Sequence, residues 1–419
     1  MALGTINYID RINLSVAAAP IAKAFHLSPV ALGFLFSSFS WTYIIFVVPA
    51  GLLVDRLGTR VVAAGAIILW SASSMLSGAA ASFSMLVLTR LGLGTGESAM
   101  YPTGLRVVRE WAPFPERGLA TATFNSGSYA GPAFGAVLVA WLVTVLGWRG
   151  SFVVTGLLGF AWAAAWLIFF RQPEKAPWLT PAERAKILAE RDVDDASRVP
   201  ESAGLRTIGE LLRSPSMWGV ALTQGCGVYT QYLFLTWLPN YLQTQRHLTI
   251  VKSGLFTALP YAIAVVLAIM LGRASDRALS KTSAKTGGRR NFVICALLVS
   301  SVVLLAPYVG SIWLLAALLT VSLTCVCTAS ATNFALTNDL LRTPSAAGTT
   351  FSLVILGGNI FGLLAPIVTG YVIAATGSFT GAFLVAGLLL VAGATISFTL
   401  TRKPITAGDP AVVTRRALA

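Results

Sequence analysis

The sequence predicts an all-α integral membrane protein of about twelve transmembrane helices arranged as two six-helix halves. Three observations carry that prediction. Of the 419 residues, 56% are hydrophobic and only 11% charged, whereas a soluble domain carries about a quarter charged residues. Long apolar windows recur along the chain, and short motifs at helix ends in the first half return at corresponding places in the second. Lipid must therefore be the solvent for most of the surface.

A helix that crosses the hydrocarbon core needs about 20 mostly apolar residues. Such windows cover 2–24, 30–54, 61–80, 84–107, 118–146 and 149–170, and then 216–243, 251–272, 291–309, 312–340, 347–375 and 379–401. One polar stretch, 171–215, separates the two sets and reads as a cytoplasmic linker. The organisation is thus a first half at 1–170, the linker, a second half at 216–401 and a cytoplasmic tail at 402–419. Within the linker Thr180 and Glu183 have the spacing of a capping box that opens a short helix to Arg191, and an acidic run from Asp192 to Asp195 follows.

The first span begins abruptly. Only Met1 to Asn7 precede Tyr8-Ile-Asp10-Arg11, which supplies roughly 10 Å of helix. The expectation is a first helix shortened at that end, with the true start of the chain upstream. A signal peptide would need a basic leader and an uncharged apolar core, and this segment has neither.

Lysine and arginine set the orientation, because cytoplasmic loops carry the excess. With both termini inside, 24 of the 30 fall on the inner side, and the outer loops hold only Lys23, Arg149, Arg246 and Lys252. The net charge of +14 therefore reflects topology and not a nucleic-acid partner. A bacterial inner membrane is the expected setting and a monomer the expected state. The four cysteines, Cys226, Cys295, Cys325 and Cys327, sit in apolar stretches without a usual metal spacing, so no metal or cofactor is expected.

The repeat shows in Gly51-Leu-Leu-Val-Asp55-Arg56-Leu-Gly58-Thr-Arg60, between the second and third spans, and Gly272-Arg-Ala-Ser-Asp276-Arg277, between the eighth and ninth. A weaker echo links Gly147-Trp-Arg-Gly-Ser-Phe152 to Gly377-Ser-Phe-Thr-Gly-Ala-Phe383. Six-helix halves related by an axis along the membrane normal are the architecture of major facilitator transporters. The acid–arginine pairs Asp55-Arg56 and Asp276-Arg277, with Gly58, sit at cytoplasmic helix ends, where they suit gate latches rather than ligands.

Four charges lie deep in apolar helices: Asp10 and Arg11 in the first span, Arg90 and Glu97 in the fourth. Each costs at least about 2.5–3.5 kcal/mol at the bilayer centre unless it faces a cavity or a partner. Arg90 and Glu97 are two turns apart and share a helix face, whereas Asp10 and Arg11 diverge by about 100°. Buried ion pairing between the two helices would explain them structurally, yet such pairs contribute little stability and intramembrane acids mark proton relays. A carboxyl group in low dielectric can exchange a proton near neutral pH, which suits Asp10 and Glu97 as proton carriers. The planar guanidinium matches a carboxylate, which suits Arg11 and Arg90 as ligands of an anion or switches for the acids. Polar aromatics and amides add to them: Tyr8, Tyr43, Asn125, Tyr129, Tyr229, Gln231, Tyr232, Asn333 and Asn359. Singly these are helix–helix hydrogen bonders; together they could line a site for a hydroxylated molecule. Gly92, Gly94 and Gly96 suit close helix packing, and no strand precedes them as a phosphate loop would require.

These motifs resemble the anion:cation symporter family of the major facilitator superfamily over nearly the whole chain. Asn7-Tyr8-Ile-Asp10-Arg11-Ile-Asn-Leu-Ser15 is similar to its first-helix signature. The run from Arg90 to Glu97, with Pro102, Trp111-Ala-Pro113 and Glu116-Arg117, is similar to its fourth helix and following loop. Asp55-Arg56-Leu-Gly58 matches the superfamily's loop motif, and Thr236-Trp237-Leu-Pro239-Asn-Tyr241 resembles its seventh helix. The resemblance implies proton-coupled uptake of sugar acids or other carboxylates, with Asp10 and Glu97 as the protonated pair and Arg11 and Arg90 ordering proton transfer and anion binding. It further implies substrate contacts from Tyr8, Tyr43 and Asn359. Where some sugar-acid members carry a glutamine this chain has Ser128, which departs from their pattern. An exporter of hydrophobic or cationic compounds would share the fold but not the buried arginines. A membrane sensor would add an output domain. No enzyme is expected, since no nucleophile, base and orienter triad or metal set appears in the polar loops.

Overall fold

The computed structural model of the protein describes residues 1–113, 116–190, 205–278, 288–343 and 346–406. The first half comprises α1 (Ala2–Val16), α2 (Ala18–Phe25), α3 (Pro29–Leu57), α4 (Thr59–Gly78), α5 (Phe83–Glu97), α6 (Met100–Trp111) and α7 (Arg117–Phe169). Two linker helices follow, α8 (Pro181–Glu190) and α9 (Leu205–Leu212). The second half comprises α10 (Pro215–Thr244), α11 (Ile250–Ala278), α12 (Gly288–Ser300) with a 3₁₀ extension over Ser301–Tyr308, α13 (Ile312–Leu340), α14 (Ala347–Thr376) and α15 (Thr380–Leu400).

Among the described residues eight helices are long and apolar enough to cross a membrane, and the architecture accounts for twelve spans. Gly147, with φ 71° and ψ 171°, divides α7 into two antiparallel spans. The polar-rich α10 is one further span, and α1–α2 and α5–α6 are spans broken by proline. Proline removes a donor and its ring collides with the carbonyl four residues earlier. Pro20 therefore ends α1 at Val16, and Pro102 opens the ladder at Ser98, one residue beyond the end of α5. The windows 2–24 and 84–107 are each two helices for this reason.

The repeat extends to backbone geometry. Gly147 and Gly377, at φ 71° and 65°, make the turns before the sixth and twelfth spans. His26 and His247, the chain's two histidines, are the non-glycine residues with positive φ among the described residues, at 51° and 53°. His26 caps α2 in the left-handed conformation and His247 lies three residues past the end of α10, and each is followed by Leu-Ser or Leu-Thr. Ser28 Oγ then accepts from Ala31 N and Thr249 Oγ1 from Lys252 N. In the linker, Thr180 and Glu183 form the reciprocal capping box: Thr180 N and Oγ1 donate to Glu183 Oε2 at 2.9 and 2.8 Å, and Glu183 N donates to Thr180 Oγ1 at 3.2 Å. Those donors hold the Glu183 carboxyl below its ordinary value. The acidic run Asp192–Asp195 lies outside the described residues.

The chain forms two compact units. The first comprises Met1–Ser197 together with Phe234–Ala262 and Pro366–Phe379; the second comprises Arg198–Leu233, Ile263–Ala365 and Thr380–Ala419. In the first, α1 lies against a glycine stripe on α7. A Cβ on Gly127 would sit 2.6 Å from Met1 O, one on Gly131 2.3 Å from Tyr8 Cβ, and one on Gly135 2.9 Å from Ile9 Cγ1. Small residues at four-residue spacing let helices approach closely where no hydrophobic effect drives them together. At the His26 end Trp237 Nε1 donates to Pro366 O at 3.2 Å, its ring meets Phe36 edge to face at 5.1 Å, and Ser15 Oγ donates to Thr236 O at 2.7 Å. In the second unit the tail returns as an isolated parallel bridge between Leu341 and Ile405, and Ile405 is fully buried among Leu211, Met217, Val220 and Val354.

Candidate functional site

The buried charges of the first unit gather where α1, α4, α5 and α7 meet. The divergence of neighbouring side chains on α1 sends Asp10 and Arg11 to different helices. Arg11 Nε donates to Glu97 Oε2 on α5 at 2.8 Å, and Asp10 Oδ1 accepts from Ser74 Oγ on α4 at 2.8 Å. Both acids are fully buried and Arg90 is 3% exposed. Arg90 lies within electrostatic reach of Asp10, Glu97 and Arg11. Among the described residues Arg90 Nε and Nη1, Asp10 Oδ2 and Glu97 Oε1 have no hydrogen-bond partner, so the cluster retains donor and acceptor capacity.

Aromatic rings hold the Arg11 guanidinium. Its Cζ lies 4.7 Å from the Tyr8 ring centroid, 4.3 Å from Phe39 and 5.2 Å from Tyr43. A cation over a ring face gains roughly 0.5–2 kcal/mol, more when desolvated. Tyr8 and Tyr43 are therefore brought to the site, where they flank the arginine.

The glycines of α5 seat this helix. A Cβ on Gly94 would meet Phe39 O of α3 at 2.2 Å, one on Gly92 Ser73 Oγ of α4 at 2.6 Å, and one on Gly96 Trp70 N of α4 at 2.8 Å. Close approach to both neighbours is what places Glu97 beside Arg11.

Tyr229, Tyr232 and Asn359 belong to the second unit. Tyr229 is buried, and the Tyr232 ring lies against Gly362, where a Cβ would be 2.9 Å away. Asn359 is one turn before Gly362 on α14 and half-buried. Asn333 pins helices: its Nδ2 donates to Val220 O at 2.9 Å and Gln224 Oε1 at 3.0 Å. Gln231 Nε2 reaches Ser330 Oγ at 3.5 Å. Asn125 is exposed and Tyr129 half-buried on α7.

The profile of the Major Facilitator Superfamily matches residues 1–287. The chain belongs to this superfamily. It is 33% identical over 412 residues, 96% of this chain and 90% of the relative, to the probable galactarate/D-glucarate transporter GudP of Bacillus subtilis. It is also 33% identical over 407 residues, 97% and 88% of the two chains, to a probable L-galactonate transporter of Escherichia coli. A solved bacterial homolog of the human lysosomal transporter Spinster matches with a TM-score of 0.76 at 18% identity, over 98% of this chain and 97% of that one. This likeness concerns the fold. The protein is a membrane transporter and not an enzyme.

The superfamily loop motif is built as an ion-pair network on the face opposite His26. Asp55 Oδ1 accepts from Arg106 Nη1 at 2.9 Å, Arg106 Nε donates to Glu110 Oε1 at 3.2 Å, and Thr59 Oγ1 donates to Glu110 Oε2 at 3.0 Å. The acid therefore engages α6, while Arg56 is exposed. Gly58, at φ 82°, joins α3 to α4 in a conformation that only glycine adopts freely. In the second half Arg289 Nε pairs with Asp339 Oδ2 at 2.8 Å, linking the start of the ninth span to the end of the tenth as Thr59–Glu110 links the third to the fourth. The backbone of Asp276 and Arg277 lies at the end of α11, and their side chains lie outside the described residues.

Sequence reading passed over Ser74, Thr155 and Asn13. Asn13 Nδ2 donates to Thr155 Oγ1 at 3.0 Å, Thr155 Oγ1 lies 3.2 Å from Ser74 Oγ, and Ser151 Oγ donates to Asn13 Oδ1 at 2.9 Å. Serine and threonine in membrane helices usually bond their own backbone, so no spacing distinguishes these. The stripe Gly127-x₃-Gly131-x₃-Gly135 and Trp237 were also missed as site-positioning residues, although the glycine spacing is a readable signal.

Proposed function

We propose that the protein is a proton-coupled symporter that takes up an organic anion, such as hexuronate, galactonate, glucarate or another carboxylate, by alternating access. The observation that supports this reading is the buried set Asp10, Arg11, Arg90 and Glu97. One arginine–acid pair stands beside a second acid and a second arginine whose polar atoms retain unshared capacity. Protonation of Glu97 weakens its hold on Arg11 and frees the guanidinium for a substrate carboxylate; deprotonation draws the guanidinium back. The names of the sugar-acid relatives favour hydroxylated carboxylates, with Tyr8 and Tyr43 beside Arg11 and with Asn359, Tyr229 and Tyr232 supplied by the second half.

In this scheme the bodies that move are the halves 1–170 and 216–401, tied by the linker 171–215, and the Asp55–Arg106 and Asp276–Arg277 ends act as gate latches. Both termini, with the tail 402–419, face the cytoplasm across a bacterial inner membrane, and the monomer is the working unit. Protons are the coupling ion and no cofactor takes part. The test is uptake by reconstituted protein under an imposed inward proton gradient, screened over sugar acids, aromatic acids and small carboxylates. Accumulation of a carboxylate that collapses with a protonophore is expected; accumulation of none under the gradient overturns the reading.

A further inference from the structure

Asp10 sits at the head of a hydroxyl chain. Ser74 Oγ lies 2.8 Å from Asp10 Oδ1 and 3.2 Å from Thr155 Oγ1, and Thr155 Oγ1 lies 3.0 Å from Asn13 Nδ2 and 3.3 Å from Phe152 O. Asp10, Asn13 and Ser74 are fully buried and Thr155 is 1% exposed. The chain therefore has a fixed donor and a fixed acceptor at its Thr155 end: the Asn13 amide can only donate there, and the Phe152 carbonyl can only accept.

We propose that Ser74 and Thr155 form a reversible hydroxyl switch that holds the Asp10 carboxyl in both of its protonation states. With Asp10 ionised, the Asn13 amide donates to Thr155, Thr155 donates to Ser74, and Ser74 donates to Asp10 Oδ1. When a proton from water binds Oδ1, the new O–H donates to Ser74, Ser74 donates to Thr155, and Thr155 turns its hydrogen to Phe152 O. No bond between heavy atoms forms or breaks, and only two hydroxyl hydrogens swing. Oδ2 has no partner among the described residues, so the oxygen facing Ser74 is where an added hydrogen finds an acceptor. A hydroxyl donates and accepts through the same atom, and a buried group left unpaired in either state would penalise that state. The charged groups around Asp10 are Arg11 on α1 and Arg90 and Glu97 on α5, while α4 and α7 present hydroxyls. Ser74 and Thr155 are positioning residues, acting through Asp10.

The inference rests on Asp10 as a proton carrier, and its signature is a pair of opposite shifts. Ser74→Ala removes a donor to the carboxylate, where a hydrogen bond is about twice as strong as to the neutral acid, so protonation should begin about one pH unit higher. Thr155→Val leaves that donor but removes the acceptor for the swung Ser74 hydroxyl, so protonation should require a pH about one unit lower. Ser74→Thr keeps the hydroxyl and should restore the original midpoint.

The experiment is an infrared titration of the carboxyl band of reconstituted full-length protein, assigned to Asp10 by its loss in Asp10→Asn, with D-glucarate accumulation measured in the same vesicles. Opposite shifts with recovery in Ser74→Thr are expected. Unmoved midpoints, or shifts of one sign in Ser74→Ala and Thr155→Val, overturn the switch. The absence of any titrating Asp10 band overturns both the switch and the coupling role. If the band behaves as expected but no carboxylate accumulates under the gradient, the symport reading alone falls.

Discussion

Arg11 donates to Glu97 across 2.8 Å with their side chains only 7% and 0% exposed, so the pair joins the first helix to the fourth span inside a shell of rings and hydroxyls. Burial of two charges costs about as much as their attraction returns. The pair is therefore a poor source of stability but a sensitive one. Removing one partner leaves the other charge stranded, and removing both relieves the strain.

Arg11→Ala should lower stability by about 3–5 kcal/mol, while Arg11→Ala combined with Glu97→Gln should lose markedly less than the two single changes together. Thermal unfolding of the four proteins in detergent measures the coupling. Additive losses would show that the pair is not coupled.

Asp10→Asn or Glu97→Gln should each abolish proton-driven accumulation while leaving substrate exchange partly intact, because the neutral isostere fills the site but carries no exchangeable charge. Uptake under an imposed pH gradient, set beside counterflow without one, separates these. Unchanged gradient-driven accumulation in both variants would sink the assignment.

Gly131→Ala should cost about 1–3 kcal/mol and reduce transport, because the added methyl would lie 2.3 Å from Tyr8 Cβ and 2.9 Å from Thr5 O. The displaced helix carries Asp10 and Arg11. Gly65→Ala is the control: nothing lies within 4 Å of its Cβ, so stability should hold or rise slightly through helix propensity. Equal effects of the two changes would show that the stripe does not seat α1.

Asp55→Asn removes a pair whose partners are 37% and 64% exposed, so it should change stability by less than about 1 kcal/mol. The turnover rate should nevertheless change several-fold if the network works as a latch, and initial uptake rates at saturating substrate report it. A stability loss without a rate change would make the network merely structural.

Much of the architecture was legible because its causes are local. Apolar length predicts spans, and the proline four residues on breaks α1 after Val16. Thr180 and Glu183 announce their own cap. The repeat was legible in Asp55-Arg56 and Asp276-Arg277, yet its sharpest marks, His26 and His247, were not, because a left-handed backbone leaves no composition signature in histidine. Asp55 was read beside Arg56, but its hydrogen-bond partner is Arg106 on α6.

By itself the sequence determined that the chain crosses a membrane about twelve times and that four charges must be sheltered there, since desolvation penalises each wherever it lies. Only the tertiary structure decided how they are shared out: Arg11 to Glu97, Asp10 to Ser74 and, through Ser74, to Thr155. Those partners are 86, 64 and 145 residues away along the chain. The physical reason is that close approach across Gly94, Gly96 and Gly131 sets which polar atoms meet, and backbone proximity between distant helices is a property of packing.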